Sequence, residues 1–298
     1  MNLVLTVIAV TAPVFLLGAL GALWVRVLAW EYPLPFVTRL AMTVAVPCLI
    51  FTALADAQMT PGALATLSVA AAVSYAAIAA VFLALTAALG LDRRTWLAPL
   101  VFGNTGNIGL PLALFAFGEA GLGYAVVVFA VMAVFAFTAG IWMVAGAARL
   151  GAVVRDPVVL ASLAGVLFLW QGWSLPEWAD NTLSLAGQMA IPLMLITLGV
   201  AVARLSPGRL GVAAALSAVK ATVSGGVGLA VGLWLGLAPV ALAVLVLQVL
   251  TPVAVTSYLL AEKYQADAGA VAGLVVVSTA LSVALLPAAL ALLLPMTS

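Results

Sequence analysis

Histidine is missing from this chain of 298 residues, and cysteine occurs once, at Cys48. The first absence removes the commonest metal ligand and the commonest general base together. The second leaves no partner for an internal disulfide, so Cys48 reads as a small buried hydrophobe. Charge is equally scarce: Asp, Glu, Lys and Arg make up 6% of the residues, against about a quarter in an ordinary soluble domain. A water-facing surface cannot be assembled from that supply. Catalytic residues, metal ligands and cofactors are not expected, and neither is a nucleic-acid partner.

What the chain has in abundance is apolar sequence, 67% of its residues. The hydrocarbon core of a bilayer is roughly 30 Å thick and a helix rises about 1.5 Å per residue, so a span takes about 20 apolar residues. Cutting at charges, prolines and glycines predicts an all-α polytopic membrane protein of ten transmembrane helices. These fall at 3–24, 35–55, 62–90, 95–117, 121–148, 157–173, 181–203, 208–236, 238–261 and 267–295. The first run has no basic flank and continues to Trp24, which predicts a retained span and not a cleaved signal. Lys and Arg collect in cytoplasmic loops, and the cations test the count. Arg26 and Arg39 fall in or beside loop 1, Arg93 and Arg94 in loop 3, Arg149 and Arg155 in loop 5, Arg204 and Arg209 in loop 7, and Lys263 in loop 9. The even-numbered loops carry none, while Asp56, Glu119, Glu177 and Asp180 lie on their side. That segregation predicts a multi-pass protein of the bacterial inner membrane with both termini outside.

Landmarks recur along the chain. Pro47 and Pro192 are 145 residues apart, Pro61 and Pro207 146, Leu97-Ala98-Pro99 and Leu237-Ala238-Pro239 140, and Pro111 and Pro252 141. They suggest two five-helix halves, residues 1–150 and 151–298. An odd number of spans per half makes the second enter from the opposite side, an inverted repeat whose binding site lies near the midplane where helices of both halves are broken. In span 4, Gly103, Asn104, Thr105, Gly106, Asn107, Gly109 and Pro111 mark such a break. The matching place in span 9 holds Gln248, Thr251 and Pro252 without glycines.

Asn104, Thr105, Asn107, Gln248 and Thr251 therefore sit where an unpaired amide or hydroxyl costs several kcal/mol in hydrocarbon. They face one another as interhelical glue, or they face a substrate. Lys220 is the one charge well inside a span, 11 residues beyond Arg209 and so roughly 16 Å along the helix axis. A midplane charge costs about 2.5–3.5 kcal/mol even on insertion scales and usually lines a pathway. Its ammonium binds a substrate carboxylate, replaces a coupling cation, or tethers backbone carbonyls. No acid lies deep in a span to balance it, so a carried anion is the simplest counter-charge.

Asn104-Thr105 followed by Gly109-Leu110-Pro111-Leu112 resembles the crossover signature of the auxin efflux carrier family, which includes bacterial dicarboxylate carriers and plant auxin exporters. Arg155-Asp156-Pro157 is similar to that family's basic-Asn-Pro start of helix 6, with Asp in place of Asn. Thr251-Pro252 followed by Ala261-Glu262-Lys263-Tyr264 is similar to its ninth helix and exit. The resemblance implies a bile acid symporter-like fold with crossing broken helices 4 and 9. Helices 1, 2, 6 and 7 would form a scaffold and helices 3–5 and 8–10 a transport unit, moving as an elevator in a homodimer. Asn104, Thr105 and Pro111 would mark the first crossover and Pro252 the second, with Lys220 where the family often has a basic residue.

The function expected is secondary transport of a small organic anion, a malonate-like dicarboxylate or an aromatic carboxylate, with Na+ or H+ coupling open. The alternative within transport is a sodium-coupled symporter of the bile acid carrier type. An intramembrane enzyme would need a dyad or metal cluster, and a sensor usually brings a soluble signalling domain; this sequence provides neither.

Overall fold

The computed structural model describes residues 3–57, 59–145 and 155–297. Arg149 and the expected boundary between residues 150 and 151 lie outside the described residues. Those residues form eleven helices: α1 Leu3–Arg26, α2 Leu34–Ala55, α3 Pro61–Ala88, α4 Arg93–Val101, α5 Thr105–Ala145, α6 Pro157–Gln171, α7 Glu177–Arg204, α8 Leu210–Trp234, α9 Pro239–Leu250, α10 Val255–Lys263 and α11 Ala268–Met296. Seven of them (α1, α2, α3, α5, α7, α8 and α11) are long and apolar enough to cross a membrane, and α6 and α9 are shorter apolar helices. Large apolar side chains such as Leu5, Leu16, Leu163, Leu185 and Leu292 are more than half exposed. In water such a surface would aggregate; in lipid it is the solvated face. Trp170, Trp173, Trp178 and Trp234 stand exposed at helix ends, where indole favours the headgroup layer.

Helix ends are set by local chemistry. Thr60 accepts from the Ala63 amide ahead of Pro61 at the start of α3, and Asp92 accepts from the Arg94 and Thr95 amides of α4. Asp156 accepts from the Val158 and Val159 amides, with Pro157 following. Asp at this position thus caps α6 as well as an Asn would, since either oxygen satisfies the free first-turn amides.

The seven full-length helices depart from the ten separate spans expected, in part because the sixth, α6, is only 15 residues long. The fourth and ninth apolar runs are each cut in two, and the second piece of the fourth continues into the fifth. The chain turns there only at Gly118, whose φ of 63° and ψ of −157° lie in a region reserved for glycine.

Three helix pairs carry close backbone approaches. A methyl group on Gly199 of α7 would collide with the Gly18 carbonyl of α1, and one on Gly21 of α1 with the Ile196 carbonyl. On α6 and α7, Gly165 and Gly187 face α2 in the same way, at Leu54 and Leu49. Small residues drive helix association where the surrounding lipid is as apolar as leucine. Elsewhere α3 packs on α4, α5 and α8, and α8 packs on α9 and α11.

The recurring landmarks divide. Pro47 follows a π-turn at Ala41–Ala45, Pro192 follows an irregular turn at Met189, and Pro61 and Pro207 introduce α3 and α8, so these pairs occupy like places. The other two pairs do not. Pro99 lies near the C-terminal end of α4 whereas Pro239 opens α9, and Pro111 lies in α5 past the first break whereas Pro252 is in the second. The two broken runs place their breaks at different distances from these prolines, so a proline offset does not align them.

Candidate functional site

The first break spans Phe102 to Asn104. α4 ends at Val101, Phe102 is extended at φ −99° and ψ 121°, and Asn104 sits at φ −83° and ψ 55° before the helix resumes with a π-turn at Thr105–Gly109. The second spans Thr251 to Ala254 between α9 and α10. It needs no glycine: a residue before proline is pushed out of the helical region, and Thr251 accordingly has ψ 146°. Pro252 contributes no amide to continue the ladder.

The two breaks cross. Gly103 and Val253 form an antiparallel bridge, and the Asn104 amide donates to the Pro252 carbonyl at 2.7 Å. The Val253 amide donates to Ser278 Oγ of α11 at 3.0 Å, and that hydroxyl donates to the Val275 carbonyl. Backbone groups freed by the breaks thus find protein partners, as non-helical chain at membrane depth requires. The crossing is tight enough to demand glycine at one point, because a Cβ on Gly103 would collide with Thr251 Oγ1.

Three of the expected site residues are tied into this framework. Lys220, 2% exposed on α8, donates from Nζ to the Thr251 carbonyl at 2.9 Å. Thr251 Oγ1 donates to the Gln248 carbonyl at 2.7 Å, and Gln248 Nε2 donates to the Ala125 carbonyl of α5 at 3.3 Å. Two others are buried with an unused group: Asn104 Nδ2 and Thr105 Oγ1 have no hydrogen-bond partner among the described residues, nor has Gln248 Oε1. Asn107 is half-buried in the π-turn. Of the five expected helix-breaking residues, Gly103 and Pro252 lie in the breaks. Gly106, Gly109 and Pro111 lie in helix instead. The two glycines admit neighbours: Gly106 lies under Met194 of α7 and Phe129, and Gly109 under the Gln248 side chain. Pro111 stands near the start of the α-helical stretch, where a missing amide is tolerated.

Sequence reasoning passed over Tyr75, Ser217, Ser224 and Ser278. Tyr75 on α3 stacks on Phe102 in the first break, ring centroids 6.2 Å apart. Ser217 and Ser224 share the buried stripe of α8 with Lys220, and neither hydroxyl has a partner among the described residues. Their spacing of three and four residues from Lys220 was the available signal.

Four helix ends meet at the crossing. The N-termini of α5 and α10 bring partial positive charge and the C-termini of α4 and α9 partial negative charge, beside one buried ammonium. The helix-end charges offset one another, which leaves the ammonium as the net charge there. Nearby, a cavity of about 570 Å³ opens between α2, α5 and α7, lined by Thr52, Asp56, Phe115, Glu119, Tyr124 and Gln188 among others. Its α7 wall includes Ile191 and Pro192, and Met194, a turn further on, packs on Gly106 of the crossing. Asp56, just past the end of α2, has its carboxyl pushed above the usual range, first by burial and then by the Asp180 charge.

Among known proteins, the model of a family described as membrane transport protein matches residues 35–153 and 149–290. No curated protein matches the chain.

Proposed function

Because the chain belongs to the auxin efflux carrier family, a family of transporters and not of enzymes, we propose that it is a secondary carrier of a small organic carboxylate, bound where the two breaks cross. The observation that carries this reading is the Gly103–Val253 bridge between α4/α5 and α9/α10, with Asn104 Nδ2 and Thr105 Oγ1 buried beside it and unused. Buried polar groups without partners are costly in an apolar medium, and a bound carboxylate would accept from both. Lys220 supplies the positive charge, and the first amides of α5 and α10 add to it.

Ten crossings follow if the fourth and ninth runs each cross as two half-helices and Gly118 separates the fourth from the fifth. The packing supports an inverted five-plus-five repeat: α1 with α7 and α2 with α6 are one pairing seen twice, as are α3 with α5 and α8 with α11. In this reading α1, α2, α6 and α7 are the scaffold, and the rest moves as an elevator, in a homodimer, with both termini outside. The cavity is then the outward approach. Two carboxylates on its wall, and a single ammonium at the crossing, favour a singly charged carboxylate with an apolar body over a dicarboxylate.

Counterflow in proteoliposomes tests the reading. Asn104→Ala should lower carboxylate counterflow at least about tenfold, the weight of one hydrogen bond to a charged group, while the protein melts where wild type does. Monocarboxylates should compete better than dicarboxylates. Undiminished counterflow in Asn104→Ala would remove the crossing as the binding site.

A further inference from the structure

Lys220 is the observation that binding alone leaves unexplained. Its ammonium does not point freely into a cavity; it rests on the Thr251 carbonyl, in the second break. That carbonyl belongs to a stretch of chain that has left the helix, and Thr251 Oγ1 lies beside it, committed as a donor to Gln248 but with a lone pair free. Ser217 and Ser224 flank Lys220 on the same buried stripe of α8, 3% and 0% exposed, and neither hydroxyl has a partner among the described residues. α8 and α9 pack closely along this stretch: a methyl group on Gly228 of α8 would press on Val249 of α9, and one on Gly225 would stand 3.0 Å from Leu250 Cδ1. The ammonium meets one of these oxygens, the Thr251 carbonyl, while the Ser217 and Ser224 hydroxyls, about a turn to either side of Lys220 along α8, bond to nothing among the described residues; oxygens of this kind are the ligands a small hard cation prefers. No carboxylate pairs with the ammonium among the described residues, and the contact it makes is with the Thr251 carbonyl.

We propose that Lys220 is a built-in cation, its ammonium occupying on the Thr251 carbonyl the place a mobile sodium ion would take, so that the second break is held together without sodium. This deepens the carrier reading and rests on it for the word transport, but its physical content is a cation site that can be emptied. Removing the ammonium leaves the Thr251 carbonyl without its cation and the Ser217 and Ser224 hydroxyls still unpartnered, and sodium is then drawn in to replace it. A covalently attached charge cannot dissociate during a cycle. Transport by the wild-type protein is accordingly indifferent to sodium, and a sodium requirement appears only in its absence.

Thermal melting of the full chain in detergent, in sodium chloride against choline chloride of equal strength, tests this without any substrate or flux, so a wrong carrier reading does not affect the outcome. Wild type should melt at the same temperature in both salts. Lys220→Ala should melt lower than wild type in choline and recover by about 3 °C or more in sodium, the shift expected when a ligand at many times its Kd binds only the folded state. Adding Ser224→Ala should abolish the recovery. Lys220→Met keeps the volume of the stem and is read in the same way if the alanine variant does not fold. Saturable sodium stabilisation of wild type overturns the proposal, as does a folded Lys220→Ala or Lys220→Met that melts identically in sodium and choline.

Discussion

Gly103 and Thr251 stand so close that one methyl group on the first would strike the hydroxyl of the second. The contact joins two pieces of chain about half the sequence apart, and it is where the bridge between the breaks is formed. Gly103→Ala should therefore destabilise by about 1–3 kcal/mol, the usual cost of overpacking a tight site, and should reduce counterflow with it. Thr251→Ala removes the struck hydroxyl, so the double variant Gly103→Ala/Thr251→Ala should regain part of the lost melting temperature. Additive losses in the double-mutant cycle would mean that the two residues do not meet.

Asn104 and Gln248 are both buried amides at the crossing, but they should fail differently. Gln248 donates to the Ala125 carbonyl and fills the space over Gly109, so Gln248→Ala loses a hydrogen bond and leaves a void. A stability loss of about 2–4 kcal/mol is expected from the two together. Asn104 Nδ2 has nothing to lose in the unliganded protein. Melting temperature and counterflow measured on both variants should separate them: a large thermal loss for Gln248→Ala, and a transport loss with little thermal change for Asn104→Ala.

The α1–α7 contact offers a test far from the site. At Gly199 the neighbour in the way is the backbone carbonyl of Gly18, which cannot swing aside as a side chain can. Gly199→Val should drive the helices apart and lower the melting temperature by more than Gly103→Ala does. An equal melting temperature for Gly199→Val and wild type would show that these helices do not approach at this point.

How much of this was legible beforehand depended on range. The first break could be read from Gly103-Asn104-Thr105-Gly106, because such a polar, glycine-rich run has no place in a lipid-facing helix. The second was legible only through Pro252 and its effect on Thr251, and its lack of glycines hid that extended backbone suits any residue. Which glycine served which purpose was not legible: Gly106 and Gly109 yield room to Met194, Phe129 and Gln248, neighbours that only the fold supplies. The bridge from Gly103 to Val253 joins distant positions with no strand pattern in either. The cavity is likewise assembled from α2, α5 and α7, one or two residues per turn, and leaves no local mark. Lys220 was visible as a lone intramembrane charge, but its partner, a backbone carbonyl, has no sequence signature.

Asp267 and Arg209 form an ion pair at 3.2 Å with both side chains well exposed, and pairs of that kind contribute about 0–1 kcal/mol. Asp267 also accepts from the Ala270 amide at the start of α11, and losing such a cap costs about 0.5–2 kcal/mol. The two partners should thus be unequal. Asp267→Ala should lower the melting temperature clearly and Arg209→Ala only slightly. Salt should erase the effect of the arginine variant but not that of the aspartate, because screening acts on the exposed pair and not on the cap.

The Asp56 carboxyl has its proton affinity raised in the folded protein, chiefly by burial and then by Asp180. A carboxyl raised in this way holds its proton more tightly folded than unfolded. Its contribution to stability is therefore fully present below the ordinary aspartate range and lost as pH rises through the folded value. At neutral pH the ionised group is a liability that Asp180 worsens. Asp180→Asn removes one of the two causes without touching Asp56 itself, so the variant should melt above wild type at pH 7. That advantage should shrink as the pH is lowered into the carboxylate range, where Asp56 takes up its proton in both proteins. Melting curves of the two proteins between pH 4 and pH 8 measure the difference directly, and an advantage for Asp180→Asn that grew toward acid pH would reverse the assignment.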